Sequence, residues 1–170
     1  MSTVRQGGAR GEAILSECGT YRYVLERHLV PARHLEHPLL FVMLNPSTAD
    51  AETDDPTIRK CMGFARRWGC TDLTVVNLFA LRATSPADLR VHHDPVGPCN
   101  DLLIQMAVRL HRERRAPMVA AWGADPFARA RARHILRSFG PFDCLGVNTD
   151  GSPRHPLYLP YDSRTEAVLG

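Results

Sequence analysis

Two asparagines and one histidine stand where an otherwise ordinary sequence can carry chemistry. Asn45 opens Asn45-Pro46-Ser47-Thr48-Ala49-Asp50, directly after the apolar run Leu39–Leu44. Its amide has donors and an acceptor, so it can hold a water from two sides, while Pro46 stiffens the turn that presents Ser47. The same residues also make a plain Asn-Pro turn with a Ser or Thr cap. Asn77 interrupts the apolar stretch Leu73–Phe79, LTVVNLF. A buried amide costs free energy unless it is paired. Asn77 therefore either bonds a neighbouring loop or reads the edge of a planar heterocycle. His155 lies between Arg154 and Pro156 in the stiff stretch GSPRHPLYLP, where an imidazole held ready could stabilise a developing negative charge.

Asp50, Glu52, Asp54 and Asp55 form an acidic cluster. Asp54 or Asp55 suits a helix N-cap, and Asp50 and Asp54 are candidates for activating a water. No histidine stands nearby at ligand spacing. His92-His93 near Cys99 lack a fourth ligand, and the five cysteines contain no Cys-x-x-Cys pair. Neither a metal, a disulfide framework nor a cofactor is expected. Gly-x-Gly-x-x-Gly, the phosphate-loop signature and the Gly-x-Ser-x-Gly elbow are all missing, which leaves dinucleotide, P-loop and serine-nucleophile chemistry without a handle.

Four apolar segments must position these residues. Leu39–Leu44, Leu73–Phe79, Met118–Trp122 and Phe142–Val147 have the length and composition of buried strands. Between the first two, Ile58, Cys61, Met62, Ala65 and Trp68 repeat at three and four, with Pro56 at the start and Gly69 at the end: a helix. A second helix opens at Asn100 or Asp101, with Leu102, Leu103, Met106, Ala107 and Leu110 along one face. A third runs from Asp125-Pro126 to about Phe139. Tyr21–Glu26 alternates as an edge strand, and residues 1–11 read as a loose tail. Strands separated by helices imply a parallel sheet with right-handed crossovers, whose ligands bind outside the carboxyl ends of the strands. The expected fold class is α/β: residues 12–170 as one three-layer α/β/α domain around a central four-stranded parallel sheet.

Length and composition agree with one domain. The chain has 170 residues, 44% of them hydrophobic and 23% charged, which excludes global disorder. No apolar run approaches the roughly 18 residues of a membrane span, and residues 1–10 lack a signal-peptide core. A cytoplasmic protein without a membrane partner is expected. Lys60 is the single lysine beside 20 arginines; the bias suits phosphate contact or simply a GC-rich genome.

MLNPSTADAETDDPTIRKC, VVNLFALRATSP, DPVGPCND, MVAAWG and GSPRHPLYLP together resemble one bacterial and phage family catalogued as a domain of unknown function, over roughly residues 18–160. More distantly, the order of strand then Asn-Pro, strand with Asn, strand then Trp-Gly and late His-Pro loop is similar to the uracil-DNA glycosylase superfamily. That resemblance implies a uracil-DNA glycosylase-like fold and hydrolysis of the N-glycosidic bond of a damaged or modified base in DNA. Asn45, with Asp50 and Asp54 in reserve, would activate water, and His155 would meet the departing base. Asn77, Pro46 and Ser47 would line the base pocket, with Phe64, Phe79 or Trp122 stacking on the base. Arg154, Leu157 and Tyr158 would contact DNA. The alternatives are a non-catalytic nucleic-acid-binding or damage-sensing module and an enzyme acting on modified nucleotides of phage DNA. None requires a cofactor or an obligatory protein partner. The sequence departs from that superfamily at Ser47, where a glycosylase glycine would stand, and at Leu157-Tyr158 in place of Ser-Pro.

Overall fold

Alternation along one strand sets the layers. In β4 (Pro38–Met43), Leu39, Phe41 and Met43 point to one side, and Leu40 and Val42 to the other. Each is 0–4% exposed, so both sheet faces are covered, and each such side chain contributes about 1.5–3 kcal/mol of apolar burial. The computed structural model describes residues 2–30, 37–47 and 49–167; Thr48 of the Asn-Pro motif lies outside them.

In chain order the elements are β1 (Thr3–Gly8), β2 (Gly11–Ser16), β3 (Arg22–His28), β4, α1 (Pro56–Arg67), β5 (Asp72–Asn77), α2 (Pro86–Val91) and α3 (Asn100–Glu113). They continue with β6 (Met118–Ala120), α4 (Arg129–Phe139), β7 (Asp143–Cys144) and β8 (Glu166–Ala167). Short 3₁₀ turns at Pro126–Ala128 and Pro156–Tyr158 complete the set. One mixed eight-stranded sheet has the order β1-β2-β3-β5-β4-β6-β7-β8. The pairs β1/β2, β2/β3, β3/β5 and β7/β8 are antiparallel; β4/β5, β4/β6 and β6/β7 are parallel.

Three expectations change. The sheet is eight-stranded and mixed rather than a four-stranded parallel one. Thr3–Gly8 is not a loose tail but a strand, held through its backbone to β2 although its side chains are mostly exposed. The edge strand expected over Tyr21–Glu26 is interior, because the β1–β2 hairpin covers one side of β3 and β5 the other.

α1 packs on the face that carries Leu39 and Phe41, through Ile58, Cys61, Met62, Phe64 and Ala65. Asp55 caps it, Oδ1 accepting from the Ile58 amide at 2.8 Å, and Pro56 stands at its first turn, where no amide is needed. Its far end closes with Gly69 at φ 71°, whose amide donates to the Arg66 carbonyl while that of Cys70 donates to Ala65. α3 and α4 cover the other face through Ile104, Ala107, Val108, Ala132 and Ile135. α3 is rotated from the expected stripe: Leu102, Met106 and Leu110 are exposed, whereas Asn100 and His111 are buried.

Candidate functional site

β4 and β5 end side by side, with Met43 opposite Asn77, and the chain leaves both strands at a cavity of about 340 Å³. Its wall gathers Asn45 and Ser47 from the loop after β4, Asn77 from the last position of β5, and His155, Leu157 and Tyr158 from the late loop. Arg22 of β3 and Asp55, the cap of α1, belong to the same wall. Residues more than 100 positions apart in sequence thus meet at the carboxyl end of two parallel strands, where open α/β sheets bind ligands.

Each loop is fixed from both sides. Asn45 Nδ2 donates to the carbonyls of Pro46 and Ala83 at 2.9 and 2.8 Å, and the Ala83 amide returns a bond to Pro46. Both amide hydrogens are therefore committed, one within the β4 loop and one across to the loop after β5, and only Oδ1 is left to hold a water. The His155 loop is tied to the end of β6 by the Gly123 amide on the Pro153 carbonyl, and to Gly146 by the Arg154 amide. Just beyond it, Tyr161 lies on Gly63 of α1, where a Cβ would come within 2.4 Å of the ring. Lys60 Nζ stands 3.8 Å from the centre of that ring.

Protonation is set by burial and by partners. His155 Nδ1 accepts from the Leu157 amide at 3.3 Å, so in the neutral ring the proton sits on Nε2. Burial holds His155 below the usual histidine value, with Asp55 pulling the other way. The Asn77 Nδ2 and the Arg22 Nε are buried and have no hydrogen-bond partner. Arg22 is only 2% exposed; its Nη1 donates to the Ala49 carbonyl. Burial draws its pKa down to about 10, against the opposing pull of Asp55.

Several candidates fall elsewhere. Asp50 Oδ1 accepts from the amides of Glu52 and Thr53, bonds that close a turn and hold its carboxyl below the ordinary range. Asp54 pairs with Arg27 at 2.7 Å. Neither lines the cavity; the carboxylate that does is Asp55, which sequence reasoning weighed only as a cap. None of the three proposed stacking aromatics lines it either. Phe64 is in the core, its ring against those of Trp68 and Tyr161, and Phe79 stacks on Phe127 at 5.2 Å. Trp122 lines a separate cavity of about 330 Å³ with Asp125, Arg129 and Asp150. Tyr158, 84% exposed, is the aromatic of the Asn77 cavity. Pro46 is buried and does not line the cavity, and Arg154 is exposed outside the cavity wall. Arg22 was missed because one arginine in an alternating strand reads as an outward residue.

Among the described residues no cluster of three metal-ligating side chains occurs, and no helix is long and apolar enough to cross a membrane. No curated protein and no solved structure matches the chain. A family model described as "Protein of unknown function (DUF1643)" matches residues 22–157, a stretch that opens on Arg22 and closes on Leu157 of the cavity. The chain belongs to this family.

Proposed function

We propose that the cavity receives a damaged or modified base turned out of a DNA strand, and that the protein hydrolyses its N-glycosidic bond. One observation carries the reading. The buried Nδ2 of Asn77 has no partner in the protein, yet the residue lines a cavity shared with Asn45 and His155. Unpaired, that group costs about 1–3 kcal/mol, a cost removed when a heterocycle carbonyl accepts from it. The parallel strands β5, β4, β6 and β7, with Asn-Pro after β4 and a His-Pro loop late in the chain, support a glycosylase-like arrangement.

In this reading Asn45 Oδ1 accepts a hydrogen bond from the water, and Asp55 takes its proton as the oxygen attacks C1′. The C1′–N bond breaks, its electron pair leaves with the base, and the base is later protonated by solvent. His155, neutral, donates from Nε2 to the departing base. Leu157 and Tyr158 contact the strand around the vacated position, and Arg154 meets phosphate.

The test is a panel of oligonucleotides with varied base lesions, scored by alkali-cleavable abasic sites. The expected result is cleavage at one or a few lesions, lost in Asp55→Asn. Asn77→Asp, which presents acceptors in place of the amide donor, should shift preference from uracil-like towards cytosine-like edges. A damage-sensing module without turnover is the second reading, favoured by the commitment of both Asn45 amide hydrogens to the backbone. Tight duplex binding with no abasic site anywhere in the panel would move it ahead.

A further inference from the structure

Arg22 is a permanent cation in the wall of this cavity without a carboxylate to match it. No acidic side chain lies within salt-bridge distance of it among the described residues, although Asp50 and Asp55 lie close enough to act on its charge. One Nη1 bond to the Ala49 carbonyl holds it, and Nε has no partner. A buried guanidinium is stable when its charge and its fork of donors are both met. Asn77 offers a second unmet donor in the same wall, and the nearest carboxylate in that wall, Asp55, already has Oδ1 on the Ile58 amide.

We infer that Arg22 and Asn77 form a subsite for an anionic, oxygen-bearing group of a small ligand, held by the guanidinium charge and the two N–H donors. The inference rests on the reading of this cavity as the ligand site, but not on bond cleavage within it. Two sources share this chemistry. One is a heterocycle that carries negative charge over its ring nitrogen and carbonyl oxygen, the form in which a base leaves a sugar. The other is the phosphate of a mononucleotide. An internucleotide phosphate suits the position poorly, because Arg22 is 2% exposed and a strand backbone stays at the surface. Within the glycosidic reading, Arg22 then stabilises the leaving base beside a histidine that burial keeps neutral.

The experiment is equilibrium binding by titration calorimetry at neutral pH, with uracil, with 5-nitrouracil (ionised at that pH) and with inorganic phosphate. The wild-type protein should bind one of the two anions at least about tenfold more tightly than neutral uracil, a margin typical of one charge-assisted contact. Whichever anion binds identifies the source. Arg22→Met keeps the length and removes the charge, and replacing an unmatched buried ion with an apolar side chain is compatible with folding. It should erase the preference, while Arg22→Lys should retain part of it. Equal binding of uracil and both anions by the wild-type protein, binding of none, or an undiminished preference in Arg22→Met overturns the subsite. Because no step of this assay requires turnover, a lesion panel without abasic sites leaves the result readable: excision can fail while the anion preference stands, and the reverse.

Discussion

Arg22 and Arg27 begin and nearly end the same strand, both buried, and they are opposite solutions to one problem. Arg27 Nε meets Asp54 at 2.7 Å, and its other donors reach the carbonyls of Glu26, Asp50 and Thr53. Its charge and hydrogens are matched within the protein, and the acidic loop before α1 is tied to β3 as a result. Arg22 has the Ala49 carbonyl and a cavity. A matched buried ion is structure, whereas an unmatched one beside a space marks where something from outside completes the fold.

The largest expected effect breaks the matched side. Asp54→Ala strands the Arg27 charge and should lower stability by about 3–5 kcal/mol in urea unfolding. Arg22→Met should leave stability unchanged or raise it. A small loss in the first variant together with a large one in the second would reverse the comparison.

Next comes the chemistry assigned to the unmatched side. On a lesion that the wild-type protein excises, Asp55→Asn should slow single-turnover cleavage by about 100-fold or more, the usual weight of a general base. Asp50→Asn, removed from the cavity, should leave the rate within about threefold and show its effect in stability. Equal losses of rate in both would return the acidic cluster to a shared role.

Two asparagines repeat the contrast on a smaller scale. Asn100 Nδ2 donates to the carbonyls of Asn77 and Leu78 at 3.0 Å each, the second shared with Arg131 Nε. Only its Oδ1 lacks a partner, so Asn100→Leu removes two bonds and should cost about 2 kcal/mol. Asn77→Leu removes an unmatched donor and should cost under about 1 kcal/mol. Thermal unfolding of the pair decides between a site residue and a structural one at position 77.

The smallest effect concerns pH. Burial holds His111 and His155 below the ordinary histidine value in the folded chain. Between that value and the lowered folded ones, the unfolded chain binds more protons, so stability falls as pH is lowered through this window and is complete above it. The melting temperature should fall between about pH 7 and pH 5, and His111→Gln should flatten the slope. A melting temperature that rises on acidification contradicts the burial assigned to both rings.

The sequence was legible where one physical signal acted alone. β4 and β5 follow from apolar runs of strand length, and α1 from its three-and-four repeat between an Asp-Pro start and a glycine stop. β1 was hidden because a solvent-facing hairpin strand needs only its backbone, and Thr3–Gly8 has no apolar face to announce it. The face of α3 was misread because two polar residues, Asn100 and His111, took core positions that leucines were expected to fill. The site shows the same limit. Asn45, Asn77 and His155 stood out by type and meet in one cavity, but Asp55 was concealed by its capping role and Arg22 by its strand. Phe64, Phe79 and Trp122 could not be told from core residues, because stacking on a ligand and packing in a core ask for the same side chains.

The contact of Lys60 with Tyr161 gives the molecule a built-in spectroscopic handle. With a single lysine in the chain, reductive methylation with a carbon-13 label marks one side chain besides the α-amino group, and it preserves the charge that faces the ring. The labelled methyls would be carried on an Nζ that stands 3.8 Å from the centre of an aromatic ring, where ring currents displace their resonance. Lys60 belongs to the helix capped by Asp55, and Tyr161 to the segment that follows His155. One resolved signal therefore reports the relative placement of the two walls of the cavity, residue by residue silent elsewhere, as any candidate ligand is titrated in.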